Sequence, residues 1–155
     1  MTPLQRSWGW LVVAVAVSFA TMLLPRAQPT SWEAHLSTYL PGFQTTAEAE
    51  LPKVDAFFFP FPATIELLLL ALTLLFGLAL RLRPARARDV RAPAYVVALA
   101  LPGWVTLAVL VPGLGEAPFR ILIGGWIAIA AAAATGALLA IHAATAARAS
   151  SDPTV

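Results

Sequence analysis

Cysteine is absent from the 155 residues, which removes disulfides, iron–sulfur clusters, thiolate metal sites and thiol nucleophiles from the chain's own chemistry. Histidine occurs only at His35 and His142, so haem or zinc would have to borrow ligands from elsewhere. Charge is scarce too. Asp, Glu, Lys and Arg make up 12% of the chain, against about a quarter in a soluble domain. No serine, histidine and acid recur at a spacing that suggests a nucleophile. A non-enzymatic protein with no cofactor and no metal is expected.

What is present is hydrophobic. Apolar residues make up 59% of the sequence, and the bilayer is the solvent this implies. The net charge is only +2. The basic residues cluster between apolar runs rather than along a stripe, which argues against nucleic-acid binding.

Four apolar runs predict four transmembrane helices in an antiparallel bundle, over residues 8–24, 63–82, 94–111 and 119–144. Residues 1–148 form one transmembrane domain, and 149–155 a disordered cytoplasmic tail. In the first run, Arg6 precedes the apolar stretch and small residues follow near Ala27, as in a cleaved leader. The length of the run and the interface residues Trp8 and Trp10 favour a retained span.

Orientation follows from the loop at 81–93. Arg81, Arg83, Arg86, Arg88 and Arg91 lie within eleven residues, the signature of a cytoplasmic loop and of contact with anionic lipid headgroups. With Arg6 and Arg148 the proposed inside holds seven basic residues; Arg26, Lys53 and Arg120 leave three outside, which accounts for all ten. Both termini are therefore expected in the cytoplasm of a cell (inner) membrane. High Ala, Arg and Pro usage has the flavour of a high-GC bacterial genome.

The outer loop, 25–62, carries a capping pattern at Thr30 and Glu33, with Trp32, Leu36, Tyr39 and Leu40 at helical spacing before Pro41 and Gly42. A short helix lying on the outer surface is expected there. The phenylalanine- and proline-rich stretch 56–62 suits interfacial anchoring.

Within the spans, Pro102 removes one helical hydrogen bond and frees the carbonyl of Ala98, so Pro102 and Gly103 are expected to form a kink or hinge. Gly124, Ala128, Ala132 and Gly136 follow at steps of four, the spacing that lets backbones approach closely in a bilayer. They are expected to pack against another helix, of this chain, of a second copy or of another membrane subunit. Glu66 is the one acid inside a span, and Arg120 enters span four at a similar depth. The two are expected to form an ion pair. His142 is expected at the inner interface.

Two functions remain open. The first is an accessory or assembly subunit of a larger membrane complex, binding lipids and other subunits. The second is a small homodimeric proton-coupled transporter served by Glu66 and gated at Pro102.

Overall fold

The structure is a computed structural model that describes residues 2–29, 53–58, 60–111 and 119–151. Among the described residues there are four helices: α1 (Pro3–Thr21), α2 (Pro60–Leu82), α3 (Ala87–Leu110) and α4 (Ile123–Ser151). Two short strands, β1 (Ala27–Pro29) and β2 (Phe119–Ile121), join the loops between them. The helices at 61–82, 87–110 and 123–150 are long and apolar enough to cross a membrane.

Helix α1 starts earlier than its apolar run suggests. Thr2 accepts a hydrogen bond from the Gln5 amide, the Gln5 side chain accepts one from the Thr2 amide, and Pro3 occupies the first turn. This capping box makes a helix start of residues that read as a polar leader to the span. The helix ends at Thr21, three residues before the expected boundary. Its apolar part, Trp8 to Thr21, rises about 21 Å, short of a hydrocarbon core about 30 Å thick.

Helix α2 runs to Leu82, and Pro84 opens a 3-10 turn, Pro84–Arg86, before α3. Helix α3 begins at Ala87, inside the arginine stretch, and continues through both Pro93 and Pro102. At Pro102 and Gly103, the expected kink or hinge position, helical backbone continues on both sides. Thr106 donates to the Pro102 carbonyl at 2.7 Å. The carbonyl of Ala98 meets the backbone of Gly136, where an added methyl group would overlap it.

Helix α4 starts at Ile123 and reaches Ser151, later and longer than the expected 119–144, because Phe119–Ile121 is taken up by β2. Its buried side chains Ala128, Ala132, Thr135, Leu139, His142 and Ala146 alternate steps of four and three. That 3.5-residue period keeps one face on its neighbours, whereas a strict step of four drifts about 40° each time. The small-residue stripe therefore stays buried through Gly136, then gives way: Ala140 and Ala144 are only half-buried.

The main core gathers Leu11 and Val15 of α1, Leu70 of α2, Val97, Leu101 and Val105 of α3, and Ala128, Ala132 and Leu139 of α4. A second cluster joins Leu80, Ala87, Ala94, Ala143 and Ala146 at the arginine end. Alanine and glycine fill the helix contacts while large side chains face out: Leu99 is 76% and Ile123 78% exposed. A skin of large apolar side chains is the reverse of a water-soluble protein's surface, and it fits a lipid-facing one.

The ribbon is an addition to the all-α architecture read from the sequence. Strands β1 and β2 pair antiparallel, with Gln28 opposite Arg120, and Val54 bridges Ala27 from the other side. The expected surface helix around Trp32–Leu40 and the tail beyond Ser151 lie outside the described residues.

Candidate functional site

Glu66 stands in the second turn of α2 and is 2% exposed. Its partner is Arg26, not Arg120. The guanidinium donates from Nη1 to Oε2 at 2.7 Å and from Nη2 to Oε1 at 2.8 Å, the two-pronged geometry that matches a planar guanidinium to a carboxylate. Arg26 is itself 6% exposed, although its place in the basic-residue count had put it in an outer aqueous loop. Arg120 is exposed on β2, opposite Gln28. The two arginines differ in burial: Arg26, next to the start of β1, is turned into the protein, whereas Arg120 within β2 faces solvent.

The position of Arg26 is set by its main chain. Its amide donates to the Val54 carbonyl at 2.8 Å, and its carbonyl accepts from Leu122 at 2.9 Å. Gly125 keeps the approach open, since a methyl group there would sit 2.9 Å from the Arg26 carbonyl. The charges also suit the helix ends. Arg26 follows the C-terminus of α1, with its Nε 3.5 Å from the Thr21 carbonyl, and Glu66 lies near the N-terminus of α2, so each charge complements a helix dipole. Trp104 of α3 fastens the same end, donating from its indole to the Pro62 carbonyl at 3.0 Å.

The cavity beside the pair, bounded by Arg26, Val54, Ala63, Glu66 and Val109, measures about 20 Å³. That is room for one water.

His142 is fully buried rather than interfacial. Nε2 lies 3.0 Å from the carbonyl of Gly77 on α2, and Nδ1 2.8 Å from the hydroxyl of Ser7 on α1. A carbonyl only accepts, so Nε2 carries a proton. Glycine at 77 makes this meeting possible: a methyl group there would come 2.6 Å from Leu11 and 2.8 Å from Trp8. Trp8 packs at a tilt on the imidazole, ring centres 6.0 Å apart, and the Arg81 guanidinium lies over the Trp8 ring at 5.7 Å. One side chain of α4 thus ties α1 and α2 together. The signal was legible, because position 142 continues the face of 135 and 139.

A third polar contact sits mid-span. The hydroxyls of Ser18 and Thr135 are 2.8 Å apart, and Thr135 also lies within reach of the Ala131 and Ala14 carbonyls. These hydroxyls link α1 to α4.

The remaining expected site residues separate into two groups. Gly124, Ala128, Ala132 and Gly136 are all buried within this one chain, Gly124 against the Pro25 carbonyl and Gly136 against that of Ala98. Arg81, Arg83, Arg86, Arg88 and Arg91 are exposed at the opposite end from Glu66, where Arg148 of α4 joins them. Among the described residues no three His, Asp or Glu side chains come together as a metal site would require. No family model, no curated protein and no solved structure matches the chain.

Proposed function

We propose that the protein is a four-span antiparallel bundle in the cell membrane, both termini cytoplasmic, serving as a non-enzymatic accessory or assembly subunit of a larger membrane complex. In this reading α1 is the fourth span, its short apolar stretch extended by Gln5, Arg6 and Ser7 at the headgroup level. The seven-to-three division of basic residues supports the orientation, although Arg26 is drawn into the protein.

The observation that carries the subunit reading is that the buried polar groups are used up as scaffold. Glu66 is held by Arg26, His142 by Ser7 and Gly77, and Ser18 by Thr135. A transporter needs a carboxylate that a substrate can reach, and the space beside Glu66 takes one water. With the Gly124 to Gly136 stripe spent internally, the outer face of α4 is what remains for a partner: Trp126, Ala130, Ala133, Ala134, Ala137 and Ile141 are exposed. A photo-crosslinking residue at Ala133 tests this in cells. A discrete adduct with one membrane protein is expected, and adducts with lipid alone would refute the subunit reading.

A further inference from the structure

The geometry points to a binding groove for the phosphate of an anionic glycerophospholipid between the start of α3 and the end of α4. Arg88 and Arg91 come from α3 and Arg148 from α4; Ala144 and Ala147 complete the lining, and the groove encloses about 340 Å³. Three arginines from two helices line a space the size of a lipid headgroup, and the two alanines give it an apolar side that suits the glycerol and the first methylenes of the chains.

Three further observations favour an anion. Arg86, Arg88 and Arg91 crowd the N-terminal end of α3, where the helix dipole is positive and cations are disfavoured; Asp89 is the one acid in that first turn. No side chain caps this helix at Arg86. An anion in the groove offsets both costs. Arg91 is also pre-set, its Nε 3.1 Å from the Tyr95 hydroxyl and its guanidinium over the Tyr95 ring at 5.3 Å. An arginine so held loses less freedom on binding phosphate.

Depth selects a lipid over a free anion. About 20 helical residues cross the hydrocarbon core. Counted from Leu110 towards the start of α3, that length ends near Arg91; counted from Ile123 along α4, it ends near Ala143. Arg88, Arg91 and Arg148 then lie at the level of lipid phosphates. This rests on α3 and α4 crossing the bilayer, and not on which side the termini occupy or whether α1 spans.

The test uses the full chain, purified in neutral detergent and stripped of lipid, with binding counted by native mass spectrometry and read as a shift in melting temperature. Dioleoylphosphatidylglycerol is expected to bind more tightly than dioleoylphosphatidylcholine, and less tightly as salt is raised. At roughly five-fold per arginine, Arg88→Gln with Arg148→Gln should weaken it about twenty-five-fold. Arg6→Gln with Arg83→Gln removes the same charge outside the groove and should leave binding within about two-fold. Equal losses from the two pairs would mean diffuse attraction and overturn the site, as would equal binding of the two lipids or indifference of the wild type to salt. Stabilisation by inorganic phosphate matching that by the lipid would overturn the lipid assignment. All these residues are exposed, so each variant is expected to keep the lipid-free melting temperature. If one does not, binding counted by native mass spectrometry well below its melting temperature still compares the two pairs.

Discussion

The carbonyl that Pro102 frees on Ala98 is covered by the backbone of Gly136, so the proline of α3 and the glycine of α4 form one contact. Proline deprives that oxygen of its helical donor, and glycine lets a neighbouring helix come close enough to shield it with Cα–H groups. Gly136→Ala is expected to force the helices apart and cost about 1–3 kcal/mol, seen as a lower melting temperature in detergent. Gly103→Ala, with nothing within 4 Å of the added methyl, should instead be neutral or stabilising by about 0.5–1 kcal/mol. Equal effects at the two glycines would remove the close contact from the account.

The elements the sequence made plain are those with long periods or strong punctuation. Helices α2 and α3 were visible from apolar length, and Pro102 pointed directly to Ala98. The ribbon was not, because Ala-Gln-Pro and Phe-Arg-Ile are too short to show an alternating pattern. That gap led to the wrong partner for Glu66. Depth along the membrane axis suggested Arg120, but the partner is set by the backbone bonds that hold Arg26 to Val54 and Leu122, which sequence spacing does not reveal. The capping box at Thr2 and Gln5 and the burial of His142 were both legible from spacing, one from a T-x-x-Q pattern before an apolar run and the other from the 3.5-residue period of α4.

The proposed topology predicts the labelling of single cysteines. Lys53 before α2, Arg88 in the first turn of α3 and Ser150 in the last turn of α4 are all exposed. An impermeant thiol reagent applied to intact cells should label Lys53→Cys and leave Arg88→Cys and Ser150→Cys unmodified until the membrane is opened. Immediate labelling at position 88 would invert the orientation, and labelling of 53 and 150 alike would place α4 otherwise than across the membrane.

The junction at His142 predicts a graded loss. The single proton of the Ser7 hydroxyl faces two acceptors, the Leu4 carbonyl at 3.0 Å and the imidazole Nδ1 at 2.8 Å. Ser7→Ala leaves Nδ1 without its partner in a buried place and should cost about 1–3 kcal/mol. His142→Ala removes the bonds to both helices and opens a cavity, so its loss should be larger. A His142→Ala protein as stable as wild type would show that α1 and α2 do not depend on this side chain for their packing against α4.

The last prediction concerns Arg26 and Glu66, whose pairing bears on what the carboxylate is for. Each charge is almost entirely removed from solvent, so removing one leaves the other buried and uncompensated, which costs about 3–5 kcal/mol. Arg26→Gln and Glu66→Gln should therefore each lower the melting temperature sharply. The double variant replaces the ion pair with two neutral amides that can bond to one another, so it should be more stable than the two single losses added together. Arg120→Gln is the control. Exposed on β2 and away from the carboxylate, it should change stability by less than about 0.5 kcal/mol and show no coupling to Glu66→Gln. The expected pattern is strong coupling with position 26 and none with position 120. Strict additivity between 26 and 66 would mean that the two charges do not depend on each other, freeing Glu66 for a proton or a substrate and returning weight to transport; coupling makes it a fastener between the end of α1 and the start of α2.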